Sequence, residues 1–78
     1  MPKSYTEKER AAIITELRDA ALESMLQKGI TKTTVDELVN KVRIPKGTFY
    51  LFYSSKELLL YDAIMQKEEE IHKKLSDI

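Results

Sequence analysis

The residues from Val42 to Lys56, VRIPKGTFYLFYSSK, combine basic and aromatic side chains and contain no acidic residue. Lysine and arginine side chains bind phosphate groups, and an aromatic ring either packs in a core or contacts a partner. Lys46, Gly47 and Tyr50 follow one another closely within this stretch. A lysine, a glycine with no side chain and a tyrosine on one surface suit the groove of a nucleic acid and the phosphates at its rim.

Residues for catalysis or metal binding do not accompany this stretch. The chain has no cysteine and one histidine, His72, which we expect to face solvent on the last helix. A metal site needs several such ligands, and the sequence contains neither a Ser/His/Asp set nor a glycine-rich phosphate loop. We therefore expect no enzymatic activity and no cofactor.

The charges of the 78-residue chain cancel, with 13 basic and 13 acidic residues, but they are unevenly distributed. Between Leu38 and Lys56 every charged residue is basic, whereas the segment from Glu57 onward contains six acidic residues and three lysines. The apolar runs are too short for a signal peptide or a membrane span, and Met1 looks like a native start. A single small domain in the cytosol is the expectation.

Apolar residues recur at helical spacing along the whole chain, which predicts an all-α fold. The first helix should run from Thr6 to Lys28 and end at Gly29. The second should begin at the capping box TVDE, in which Thr34 caps the helix and Glu37 reaches back. Because proline disfavours a helical residue before it, a third helix should run from about Pro45 to Phe52.

A long fourth helix should be capped by Ser54 or Ser55 and continue close to Ile78. Helices two and three then form a helix-turn-helix. Helical spacing predicts that the third helix exposes Lys46, Gly47, Tyr50 and Leu51 on one side. The predicted core contains Leu17, Leu38, Val39, Phe49 and Leu58.

Two residues break the local rules of helix formation. Gly47 costs a helix roughly 1 kcal/mol relative to alanine, but it would let the backbone approach another surface closely. Lys56 puts a positive charge at the helix end where an acidic residue is favoured. A phosphate bound there would account for Lys56.

The segment TTVDELVNKVRIPKGTFYLFYSSKELL, Thr33 to Leu59, resembles the tetracycline-repressor (TetR) family of bacterial transcriptional regulators. The resemblance implies a small homeodomain-like helical bundle whose third helix enters the major groove of DNA. It implies phosphate contacts by Thr34 and Lys56, and a phosphate or base-edge contact by Tyr50. It also implies groove contacts by Lys46, Gly47 and Thr48, with Leu51 making an apolar contact.

The chain departs from the family pattern in the turn before the third helix. Arg43 stands where the family usually has glycine, which predicts a left-handed backbone or a different turn. Pro45 replaces the usual serine cap of the recognition helix and removes one hydroxyl that could bind phosphate.

The resemblance also implies a domain organisation. Residues 1–55 would be the three-helix DNA-binding domain and residues 56–78 the start of a long connecting helix, with a C-terminal domain for ligand binding and dimerisation absent from this chain. The intact protein would be a cytoplasmic, ligand-responsive homodimeric repressor that binds double-stranded operator DNA and no membrane. Small molecules would act only through the absent domain.

An alternative interpretation of the sequence is a helical protein-interaction module that does not bind DNA. It rests on an apolar seam on the last helix, formed by Ile64, Ile71, Leu75 and Ile78 and interrupted by Glu68. A small-molecule sensor is a weaker third alternative, since so small a bundle has little room for a pocket.

Overall fold

A computed structural model describes residues 5–76 and contains four helices and no strand within that range. They are α1 (Glu7–Lys28), α2 (Val35–Val42), α3 (Lys46–Phe52) and α4 (Lys56–Ser76). The all-α prediction and the order of the helices are confirmed. Asp77 and Ile78 lie outside the described residues, and so does the predicted end of α4. None of the described helices is long and apolar enough to cross a membrane.

The first helix has well-defined ends. Thr6 and Glu9 form a capping box, in which the Glu9 amide donates to Thr6 Oγ1 at 3.1 Å and the Thr6 amide donates to Glu9 Oε1 at 2.9 Å. Gly29 ends the helix as predicted, with a φ of 83° that favours glycine. Helical spacing predicts Thr6 as the first helical residue, whereas in the structure Thr6 is the N-cap and the helix begins at Glu7.

Each helix contributes one large, fully buried apolar side chain to a shared core. These four residues are Leu17, Leu38, Phe49 and Leu59. Helix α1 packs against both α2 and α4, and α2 packs against α3. The predicted burial of Leu58 is wrong, since 52% of Leu58 is exposed. With α4 beginning at Lys56, Leu59 and Ala63 lie one turn apart on the inner face, and Leu58 is rotated about 100° away from Leu59.

The second half of α4 extends past this core. Ala63 is the last buried residue of the described chain, and three of the four predicted seam residues follow it on α4. Ile64, Ile71 and Leu75 are exposed by 37%, 51% and 62%. The fourth, Ile78, lies outside the described residues. The bundle therefore leaves this apolar face uncovered.

Candidate nucleic-acid interface

Helix α3 is anchored on one side and open on the other. Phe49 is fully buried and touches two neighbouring rings, Tyr50 edge-on at 5.2 Å and Tyr53 at 6.1 Å between ring centroids. On the opposite side Lys46 and Gly47 are exposed, and so are Tyr50 (49%) and Leu51 (68%). The predicted face of α3 is confirmed. The exposed phenol of Tyr50 and the exposed Leu51 beside a lysine do not stabilise the core. They form a surface suited to binding another molecule.

The turn between α2 and α3 is held in a strained conformation. Arg43 adopts φ 65° and ψ 46°, the left-handed geometry expected from an arginine in a glycine position. The amides of Arg43 and Ile44 both donate to the Val39 carbonyl, at 2.8 and 3.1 Å, and so close the end of α2. Pro45 then caps α3 without a side-chain hydrogen bond. This turn sets the angle at which α3 leaves α2.

Thr48 does not lie with the other predicted groove residues. Only 8% of it is exposed, and its hydroxyl lies 3.5 Å from the hydroxyl of Tyr5, which precedes α1. The Tyr5 ring is 6.3 Å from the Phe52 ring, and the Arg10 guanidinium lies 5.1 Å above the same ring. The start of α1 therefore supports the inner side of α3. Sequence spacing does not predict this support, because Tyr5 and Thr48 are 43 positions apart.

The basic residues near α3 are mostly paired within the domain. Lys46 Nζ lies 3.0 Å from Asp36 Oδ1, and the hydrogen bond that it donates to this carboxylate is the main reason that the pKa of Lys46 is raised. Lys41 Nζ lies 2.7 Å from Glu23 Oε1 on α1. The contrast between a basic third helix and an acidic fourth, read from sequence, is thus reduced locally by acidic residues of α1 and α2.

Thr34 caps α2 as predicted. Its Oγ1 accepts from the Glu37 amide at 3.2 Å, which leaves the hydroxyl proton available to a partner such as a phosphate oxygen. Glu37 does not complete the predicted capping box, because its carboxylate binds Lys28 at the end of α1. Thr34 is exposed and stands at the positive end of the α2 dipole.

Lys56 starts α4, but its side chain turns back to the α1–α2 turn. Its Nζ donates to the Thr33 carbonyl at 2.6 Å and lies 3.2 and 3.4 Å from the carbonyl oxygens of Ile30 and Thr31. Ser55 caps this helix, as its Oγ accepts from the Leu58 amide at 3.2 Å. The phosphate contact expected of Lys56 stays a prediction, and the structure supplies another use for this cation.

Comparison with known proteins adds an independent finding. Residues 17–63 match the family described as "Bacterial regulatory proteins, tetR family". The chain is 42% identical over 53 residues to a Bacillus subtilis (strain 168) protein named "Uncharacterized HTH-type transcriptional regulator YuxN", a match covering 68% of this chain and 17% of that protein. It is 38% identical over 45 residues to "Uncharacterized HTH-type transcriptional regulator YvdT" of the same organism, covering 58% of this chain and 23% of that protein.

The matched segments therefore span less than a quarter of the length of these relatives. No solved structure matches the chain significantly. The matched range from 17 to 63 contains most of α1, all of α2 and α3, and the first turns of α4. It contains every buried apolar residue of the core except Ile13, together with the exposed face of α3.

Proposed function

Because the chain belongs to the tetR family of bacterial regulatory proteins, we propose that it binds operator DNA through α3 and regulates transcription as the DNA-binding part of a homodimeric repressor. One observation carries the proposal. A seven-residue helix is anchored by the buried Phe49 and presents Tyr50 and Leu51 to solvent on its other side. A short, rigid helix with an exposed contact face fits the major groove.

In the proposed complex, each residue has a distinct role. Gly47 lets the α3 backbone approach the groove, and Lys46 binds a phosphate at its rim or a base edge. Tyr50 donates its hydroxyl to a phosphate or a base, and Leu51 packs on a thymine methyl group. Thr34, with the free amides at the start of α2, binds a phosphate on one side of the groove.

The remaining part of the proposal concerns the whole protein. Two copies would place their α3 helices in successive major grooves roughly 34 Å apart, with dimer contacts made by a further domain that follows α4. A small-molecule ligand would act through that domain, and the protein would work in the bacterial cytoplasm. Residues 1–55 would serve as the DNA-binding domain and residues from 56 onward as the connection.

The proposal is tested by selecting bound sequences from a random pool of double-stranded DNA and then titrating the selected DNA by fluorescence anisotropy. Lys46→Ala and Tyr50→Ala should weaken binding and change the preferred sequence. Two control variants remove the same chemistry from exposed positions of α4, Lys73→Ala and Tyr61→Ala. They should bind like the original chain. If both α3 variants lost as much affinity for random DNA as for the selected DNA, the result would contradict direct recognition of bases by these side chains.

The uncovered seam of α4 supports a second candidate function, a protein-interaction module without a DNA role. Ile64, Ile71 and Leu75 are all exposed on the part of α4 that leaves the core. Salt separates the two candidates. DNA binding should weaken steeply as ionic strength rises, whereas association through an apolar seam should not.

A further inference from the structure

The ammonium group of Lys56 is fully occupied inside the domain. A lysine side chain has three N–H donors, and Lys56 Nζ has three carbonyl oxygens within 3.4 Å, those of Thr33, Ile30 and Thr31. In this arrangement no donor is left for a phosphate. In the free domain Lys56 therefore stabilises the α1–α2 turn through hydrogen bonds.

Thr33 holds the same turn from the opposite side. It is fully buried, its hydroxyl donates to the Gly29 carbonyl at 2.9 Å, and Ser24 Oγ lies 2.9 Å from that hydroxyl. Because the Thr33 proton goes to Gly29, Ser24 is the donor in the second bond. The turn is thus tied to α1 through the Thr33 side chain and to α4 through the Thr33 carbonyl.

The charge of Lys56 also fits this position. The carbonyl oxygens after the end of α1 carry partial negative charge, and they would repel a phosphate held at the start of α2. A cation among them offsets that repulsion. The same placement explains why a lysine is tolerated at the start of α4, where the dipole of α4 itself disfavours it.

We infer that Lys56 is a positioning residue, which ties the α1–α2 turn to the start of α4 and so holds Thr34 in place for its phosphate. The inference rests on the proposed DNA-binding function and deepens it. Thr34 follows Thr33 directly, so fixing the Thr33 carbonyl fixes the backbone from which the α2 cap begins. Lys56 contributes to affinity without contacting DNA.

Two variants and one control separate positioning from a direct contact. Lys56→Met keeps the aliphatic stem and removes the donors, whereas Lys56→Gln removes the charge but keeps N–H donors for the turn carbonyls. Lys32→Met is the matched control, since Lys32 lies in the same turn, is exposed and has no ion pair among the described residues. Each chain is titrated with DNA between about 50 and 200 mM salt. Amide exchange of residues 30–34 is followed by NMR without DNA.

We expect Lys56→Met to lose about fivefold or more in affinity, because a turn residue must then be ordered on binding. The salt slope of Lys56→Met should equal that of the original chain, and its turn amides should exchange faster. Lys56→Gln should show a smaller change in both DNA affinity and amide exchange. A slope reduced by about 0.9 with unchanged exchange would overturn the inference in favour of a direct phosphate contact. If the original chain fails to bind DNA, the proposed function is wrong, and exchange alone decides whether Lys56 holds the turn. Should Lys56→Met fail to fold, the slope and exchange of Lys56→Gln decide between the same two results.

Discussion

Arg18 Nε in α1 donates a hydrogen bond at 2.9 Å to Oδ2 of Asp62 in α4, an oxygen that also accepts from the Tyr53 hydroxyl at 2.5 Å. One carboxylate oxygen therefore connects α1, α4 and the residue that ends α3. Beyond the packed core, this network connects the end of α3 to α1 and to the helix that leaves the bundle.

We expect Asp62→Asn to lower the free energy of unfolding at neutral pH by about 1 kcal/mol. The value lies below the roughly 1.5–3 kcal/mol typical of hydrogen bonds to a charged group, because 36% of the Asp62 side chain is exposed and solvent screens the interaction. Urea unfolding followed by circular dichroism measures it. Asp19→Asn removes the same charge from an exposed site on α1 and should change little.

The same variant should change the acid limb of stability. Hydrogen bonds from Tyr53 and then Arg18 lower the pKa of Asp62 below its ordinary value of 3.8. The unfolded chain therefore takes up this proton first as the pH falls. The Asp62 contribution is complete above about pH 4 and is lost as the pH drops through the folded-state pKa. The difference between the original chain and Asp62→Asn should shrink over that range, and a constant difference down to pH 2 would contradict the assignment.

At high pH, Tyr53 should make the domain lose stability as the pH rises, whereas Asp62 makes it lose stability as the pH falls. Burial, and then the hydrogen bond to Asp62, raise the pKa of Tyr53 to about 12. Because the folded-state pKa is above the unfolded value of 10.0, the stabilisation is complete below about pH 10 and is lost as the pH rises toward 12. An ultraviolet titration of Tyr53→Phe should lack one phenol that ionises near pH 12 in the original chain. Loss of an ordinary phenol titration near pH 10 instead would contradict the burial of this hydroxyl.

Arg43→Gly should stabilise the domain by about 1 kcal/mol, because glycine adopts the left-handed geometry of the turn without steric cost. Arg43→Ala is the control, since it removes the same charge but keeps the strain, and it should not stabilise. Urea unfolding of the two variants separates the explanations. Equal stabilisation by both would indicate that removal of the charge, not relief of the backbone, is the cause.

Asp36→Asn should strengthen DNA binding by about threefold at low salt. The Asp36 side chain is 72% exposed and holds Lys46 in an ion pair, so the substitution removes a negative charge beside the proposed DNA-contacting lysine and releases that lysine. Glu68→Gln, an equal charge change on the exposed part of α4, is the control. Anisotropy titrations at about 50 mM salt compare the two. Weaker binding by Asp36→Asn would show that the ion pair positions Lys46 for DNA.

Features set by nearby residues were predictable from the sequence, and features that depend on distant residues were not. The caps at Gly29 and Thr34 follow from the residue types at those positions. The left-handed Arg43 was one of two options implied by the family resemblance, because arginine stands where the family usually has glycine. Burial of Leu59 rather than Leu58 did not follow, because three consecutive leucines leave the helix register open to one residue. The register is set only when α4 packs on α1.

Long-range polar contacts were missed for the same reason. Lys56 and Thr33 are 23 positions apart, and Tyr5 and Thr48 are 43 apart. Sequence spacing relates side chains within a helix, whereas these contacts depend on how the helices pack. The exposed face of α3 was predictable because a single helical period determines it.

The most direct test of DNA binding through α3 is Gly47→Ala, measured for stability and for DNA affinity in the same preparation. A methyl group on Gly47 would meet no atom of the domain within 4 Å, so alanine should raise the free energy of unfolding by about 0.4 to 1 kcal/mol. In a groove that the α3 backbone approaches closely, the same methyl should weaken DNA binding about tenfold or more. A more stable domain that binds DNA less tightly is the predicted result. A more stable domain with unchanged DNA affinity would contradict the account.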